Sequence, residues 1–273
     1  MMIDLPYFDI LLDARKREEN AFKIFERYVH WGYWENPEEA DRSPEDFLAA
    51  MERLNNELLL VADLKDGQSV LDAGCGFGGT LAAIQTRWKG MNLTGINIDA
   101  RQLEIARKQV PGVSFIEGDA CALPFESSTF DRVLAVECIF HFPSRLQFLK
   151  EAARVLKPGG LIALSDFVPR KPNGSNSRIG KVLGRQIQKG YGPLGGDWVE
   201  GDYNAMARAA NLRLIVDKDI TVNTLPTYPV LLDLFPSPSI MAWPTRLLKW
   251  VSYLRLMRYR ILCFAKDATT SHN

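Results

Sequence analysis

The chain has 273 residues, 47% hydrophobic and 24% charged, the balance of a globular protein able to bury a full core. Its 33 basic and 33 acidic side chains cancel, which argues against a nucleic-acid-binding surface spread over the whole molecule. Four scattered cysteines form no Cys-x-x-Cys pair, so they read as reduced, buried thiols and not as disulfides or a zinc site.

Residues 1–13 carry acids ahead of a short apolar run, so no secretory leader is expected. No apolar run reaches the ~18 residues of a membrane span. These features predict a cytoplasmic protein, monomer or homodimer, with no stable membrane insertion.

Residues 8–30 have helical spacing, with Phe22, Phe25 and Val29 on one side. A turn-rich stretch follows, His30-Trp31-Gly32-Tyr33-Trp34-Glu35-Asn36-Pro37. Ser43-Pro44 predicts a capped helix start, and that helix runs to about residue 64. The rhythm then alternates. Strands are predicted at 68–72, 93–98, 113–117, 132–136 and 161–165, and helices at 80–88, 101–108 and 145–156. Such alternation implies a mostly parallel sheet covered on both faces. Beyond residue 167 come a Gly/Asn/Ser-rich stretch, a helix at 203–210 and a strand at 213–217. Five prolines in 223–244 suggest a folded excursion, followed by a helix at 246–256 and a last strand at 260–266. The predicted fold is α/β, a doubly wound, mostly parallel seven-stranded sheet of Rossmann-like type, with an N-terminal helical cap and a helical insertion before the last strand.

The most informative segment is Val70-Leu71-Asp72-Ala73-Gly74-Cys75-Gly76-Phe77-Gly78-Gly79. A strand runs into glycines and then a helix, so backbone can approach a ligand at a helix N-terminus. Gly74, Gly76 and Gly79 also satisfy the dinucleotide fingerprint. Asp72 separates the two readings. A carboxylate there would repel a pyrophosphate and suits a ligand carrying an ammonium group and ribose hydroxyls, as S-adenosylmethionine does.

Three further signals follow in order. Strand two ends Gly95-Ile96-Asn97-Ile98-Asp99, where a polar side chain can meet a ribose. Strand three ends Glu117-Gly118-Asp119-Ala120, where Asp119 can accept an adenine amino group and the backbone at Ala120 can cover the ring edge. Phe130-Asp131 precedes strand four, and Leu156-Lys157-Pro158-Gly159-Gly160 precedes strand five.

With these motifs the sequence resembles the class I S-adenosylmethionine methyltransferases from about residue 70 to 167. It is most similar to the small-molecule branch, which includes natural-product sugar O-methyltransferases and the tocopherol and sterol C-methyltransferases. The residues carrying that placement are His30-Trp31-Gly32-Tyr33-Trp34, Gly95-Ile96-Asn97-Ile98, Arg101-Gln102, Glu137-Cys138-Ile139-Phe140-His141-Phe142 and Ser165-Asp166-Phe167. The resemblance implies S-adenosyl-L-methionine as cofactor and a small-molecule acceptor, with no metal and no nucleic acid.

It further implies that Tyr33 reaches the methionine carboxylate and that Gln102 lies near the ribose. Asn97 stands where many members have an acid, so Asn97 and Gln102 share the ribose contact or Asp99 takes it. Glu137 joins the cofactor-binding set. In the similar sugar O-methyltransferases a His and an Asp at the positions of His141 and Asp166 are the proposed catalytic pair. Other readings stay open: Trp31, Tyr33 and Trp34 as core, and His141 as a packed loop residue before Pro143.

The chain then divides into a helical cap (1–64), a cofactor-binding core (65–167), a substrate-side lid with sheet completion (168–259), and a last strand and tail (260–273). Tyr228, Leu234, Phe235, Met241 and Trp243 favour a hydrophobic or partly aromatic acceptor. Arg178, Lys181, Arg185 and Lys189 fall on one helical face, which reads as solvated or as a site for an anionic substrate. Residues 246–260 mix aromatics with five basic residues, and a buried helix with snorkelling chains is favoured there over a membrane-surface helix.

O-methylation with His141 as general base is the preferred reading. C- or N-methylation comes next, then a non-catalytic S-adenosylmethionine- or dinucleotide-binding protein. Position 137–140 holds Glu-Cys-Ile-Phe instead of an Asn-Pro-Pro-Tyr motif, which argues against amino-methylation of nucleic acid or protein.

Overall fold

A computed structural model describes residues 5–17, 19, 23–170, 178–195, 202–235 and 237–268. Phe22 and His272, and the side chains of Arg178, Ile179 and Lys181, lie outside the described residues.

The N-terminal part contributes α1 (Pro6–Lys16) and α2 (Pro44–Val61). Ser43 caps α2 as expected, its hydroxyl accepting from the Asp46 N–H at 3.1 Å. The core follows as β1 (Ser69–Ala73), α3 (Gly79–Arg87), β2 (Asn92–Asn97), α4 (Ala100–Gln109), β3 (Ser114–Glu117), β4 (Phe130–Ala135), α5 (Arg145–Val155) and β5 (Leu156–Pro169). The lid and sheet completion comprise α6 (Arg178–Tyr191), α7 (Tyr203–Ala209), β6 (Arg213–Asp219), α8 (Thr221–Thr224), α9 (Thr227–Leu234), α10 (Ala242–Tyr253) and β7 (Met257–Ala265).

The sheet has seven strands in the order β3-β2-β1-β4-β5-β7-β6. The β1–β2, β1–β4, β2–β3 and β4–β5 pairs are parallel, and only β7 runs against its neighbours. Strand order reverses between β1 and β4, so a crevice opens there beyond the carboxyl ends of the strands, the usual ligand site of such sheets. Leu71, Ala73, Val133 and Leu164 bury the central strands completely.

Two differences from the sequence reading stand out beside one agreement. Of the span 8–30, expected as helical, α1 covers the part up to Lys16, whereas Arg27, Tyr28 and His30 line the crevice outside any helix. Residues 223–244 hold the end of α8, α9 and the start of α10, the helical insertion expected before the last strand. Pro229 and Pro244 fall in the first turns of α9 and α10, where a missing N–H costs nothing. Finally, α10 is only half buried. Trp243, Trp250 and Tyr253 are exposed, which corrects the expectation of a buried helix. No described helix is long and apolar enough to cross a membrane.

Candidate active site

The crevice holds a cavity of about 610 Å³ lined by Asp72, Gly74, Gly76, Asn97, Gln102, Asp119, Ala120, Glu137 and His141, with Arg27, Tyr28 and His30 closing it from the N-terminal side. The glycine loop makes room for it. Gly76 has φ +52°, and a Cβ there would meet nothing within 4 Å because it would point into the open cavity. At Gly79 a Cβ would come within 2.1 Å of the Arg27 carbonyl oxygen, so only glycine lets residues 27–28 seat on the start of α3.

The polar lining is incompletely partnered. Asp72 Oδ1, Tyr28 Oη and His30 Nε2 are buried with no hydrogen-bond partner among the described residues, and all three residues line this cavity. Such atoms cost stability in isolation and mark where a polar ligand belongs. Burial pushes the Asp72 carboxyl up to about 7 and the His30 imidazole down to about 4. Asn97 and Gln102 pair with each other, Nδ2 donating to Oε1 at 2.9 Å, and both are buried in the lining. Asp99 instead caps α4 and holds the Arg101 guanidinium, which also reaches Asp9 of α1 at 2.8 Å. Asp119 accepts the Cys121 N–H at 2.7 Å, which fixes the turn after β3.

Glu137 stands at positive φ (51°) just beyond β4, where it faces both the cavity and a second, apolar chamber. Its carboxylate accepts the Trp31 N–H at 2.9 Å and the Tyr259 hydroxyl. Burial pushes it up to about 8 against the pull of those two hydrogen bonds. The chamber is walled by Phe25, Trp31, Phe140, Phe167, Tyr191, Met241 and Leu248, among others, with only about 70 Å³ free.

His141 lies in a short 3₁₀ turn, Ile139–His141, at the cavity wall. Its Nδ1 is 3.0 Å from the Pro193 carbonyl oxygen, which can only accept, so Nδ1 carries the proton. Nε2 therefore presents its lone pair, and the Tyr7 hydroxyl donates to it at 3.2 Å. Burial pushes the ring down to about 4, which keeps it neutral.

Residues 71–164 match the model of a methyltransferase domain. Methyltransferase GfsG of Streptomyces halstedii is 35% identical over 222 residues, covering 78% of this chain and 75% of that protein. The chain belongs to the S-adenosylmethionine-dependent methyltransferases. The 27-O-demethylrifamycin SV methyltransferase of Amycolatopsis mediterranei is 33% identical, covering 73% of this chain and 72% of that protein. Among solved structures, geranyl diphosphate C-methyltransferase from Streptomyces coelicolor A3(2) superposes with a TM-score of 0.75 at 15% identity, covering 97% and 100% of the two chains. The [4+2]-cyclase SpnF gives 0.72 at 23%, covering 96% and 94%. These two likenesses show the fold alone, and a cyclase among them shows that the fold does not dictate the reaction.

The methyltransferase uses S-adenosylmethionine, which brings an activated methyl group, and acts on a small-molecule acceptor. The lining fits that cofactor: an unpartnered buried carboxylate suits its cationic part, and Asn97 and Gln102 suit its ribose.

Two expectations about the methyltransferase's site need correction. Tyr33 does not line the cavity. It is buried against α2, its N–H donating to the Ala50 carbonyl at 2.8 Å and its ring lying under Lys218. Trp34 is likewise buried, and Trp31 walls the chamber. Nor does Asp166 touch His141. Side chains alternate along β5, so Ser165 meets Glu137 and Tyr259 while Asp166 points the other way. There it is fully buried and holds Arg145 (2.8 and 3.1 Å) and the Tyr203 hydroxyl (2.7 Å). Sequence reasoning missed Tyr7, Tyr28 and His30 as site residues, although the aromatic turn at His30 was the available signal.

Proposed function

We propose that the methyltransferase methylates a hydroxyl of a hydrophobic small molecule, with His141 Nε2 as general base. The observation that carries this reading is the tautomer of His141. Its lone pair is held toward the cavity by the Pro193 carbonyl, and a hydroxyl, that of Tyr7, already occupies hydrogen-bond distance from it. An acceptor hydroxyl exchanging with Tyr7 would meet a neutral base in the same place. Positioning carries most of an in-line methyl transfer, and proton removal adds to it.

Asp72 would face the amino end of the cofactor's methionine part, Asn97 and Gln102 the ribose, and Asp119 with the Ala120 backbone the adenine. Tyr28 and His30 take the place first expected for Tyr33. The acceptor would enter the chamber beside Glu137, whose ring-rich walls suit an apolar molecule. O-methyltransferases among the relatives support the same reading. A second reading, C-methylation, draws on those aromatic walls, which would hold positive charge developing on an acceptor alkene.

Two measurements test the cofactor placement. Asp119→Ala should weaken cofactor binding by about 1–3 kcal/mol, the cost of an unpaired buried polar group. Calorimetry showing an unchanged Kd would move the adenine elsewhere.

The second uses Asp72. Its carboxyl lies near 7 against an ordinary 3.8, so the empty site is favoured protonated, and this group's contribution to stability is lost as pH rises from about 4 to 7. A cationic ligand favours the charged form, so affinity should rise with pH up to about 7 and fall below it, at most roughly tenfold per pH unit. Asp72→Asn should bind weakly and lose that slope. A slope retained in Asp72→Asn would assign it to another group.

A further inference from the structure

Trp243, Arg246, Trp250 and Tyr253 recur at three- and four-residue spacing along one side of α10, and all four are exposed. The other side, with Pro244, Thr245, Leu248 and Val251, is buried. Trp243 and Trp250 are 61% and 67% exposed, and Leu254 and Leu256 just beyond the helix are 63% and 52% exposed. Scattered apolar residues are ordinary on a surface, but two tryptophans, a tyrosine and two leucines on one short stretch are not.

The charge on α10 has one sign, with Arg246 and Lys249 and no acid, and exposed Arg255 lies just beyond it. Arg258 and Arg260 farther on pair instead with Asp219 and Asp217 of β6. Residues 182–191 of α6 likewise hold basic residues and no acid, and they pack against α10. Tyr191 of α6 hydrogen-bonds Thr245 of α10 at 2.9 Å, and Gly190 packs under Pro244. Arg185 and Lys189 of α6 are exposed beside them. In a chain of zero net charge this concentrates positive charge around the exposed aromatics.

We propose that the outer face of α10, with the adjoining part of α6, is a docking surface for an anionic lipid layer. Tryptophan and tyrosine prefer the boundary between headgroups and acyl chains, and basic side chains around them add attraction to anionic headgroups. At 12 residues α10 is too short to span a bilayer and suits lying along it. A second copy of the chain fits less well, because a two-fold pairing of this face would set basic against basic. Met241 and Leu248 turn from the same segment into the apolar chamber, so docking would bring that chamber beside the lipid phase. That consequence rests on the proposed acceptor site, whereas the docking does not.

The test is co-sedimentation of the full chain with phosphatidylcholine vesicles, with and without phosphatidylglycerol, at low and high salt. Wild type should pellet with the anionic vesicles, less with neutral ones, and be released by salt. Trp243→Ala with Trp250→Ala should lower partitioning by roughly tenfold or more, and Arg246→Glu with Lys249→Glu should abolish the preference for anionic lipid. S-adenosylhomocysteine binding, unchanged in both variants, verifies folding without reference to activity. Wild type that ignores anionic vesicles would overturn the proposal, as would partitioning unaffected by the tryptophan changes. A dimer that the tryptophan variant converts to monomer, without lipid binding in wild type, would assign the face to a second copy instead.

Discussion

His141→Ala should lower turnover by roughly 10²–10⁴ while leaving the affinity for S-adenosylmethionine intact. Replacement of the imidazole removes the lone pair at Nε2 but none of the groups that face the cofactor's methionine and ribose parts. The pH dependence supplies a second check. Burial pushes His141 down to about 4, so with cofactor saturating, the acid limb of turnover should lie near that value and not at the ordinary 6.5. Steady-state kinetics against pH, with calorimetry on the same variant, separate the two effects. A loss below about fivefold would mean that proton removal does not limit the reaction, a smaller effect than general-base catalysis supplies, and would favour a carbon or pre-ionised acceptor.

Asp166→Ala should cost about 3–5 kcal/mol of folding stability, because it removes the buried carboxylate that holds the Arg145 guanidinium at 2.8 Å. Tyr203 would lose an acceptor at the same time. Denaturant unfolding measures the loss, and Asp166→Leu with Arg145→Met, which removes both charges, should recover much of it. The folded fraction of Asp166→Ala should bind S-adenosylmethionine normally. If Asp166 instead acted on His141, the folded fraction of Asp166→Asn would lose turnover by the factor expected for His141→Ala.

These two residues show where the sequence was readable. The glycine loop and the strand ends at Asn97 and Asp119 are local patterns, each set by a few consecutive residues, and they line the crevice; the Ser43 cap is another, and it starts α2. Asp166 was misjudged because its sequence neighbour Phe167 and its strand end point toward the site, whereas the pleat turns its own side chain toward α5 and α7. Tyr7 reaches His141 across 134 residues, and no local spacing announces such a contact. The same holds for Tyr28 and His30, which come to the cavity only because Gly79 lets the chain pass closely over α3. Tyr33, two residues from Trp31 and equally aromatic, serves packing instead. The prolines of 223–244 suggested a folded excursion, and two of them, Pro229 and Pro244, fall in the first turns of its helices.

The most direct test of the central claim is the chemical identity of the bond made. The methyltransferase would be incubated with S-adenosylmethionine carrying a ¹³C methyl group and a panel of hydrophobic alcohols, phenols and alkenes, and the extracted products examined by NMR. The account predicts a labelled methyl resonance in the methoxy region, from hydroxyl-bearing acceptors only, that disappears in His141→Ala. A labelled methyl on carbon, formed at a rate that His141→Ala leaves unchanged, would contradict it.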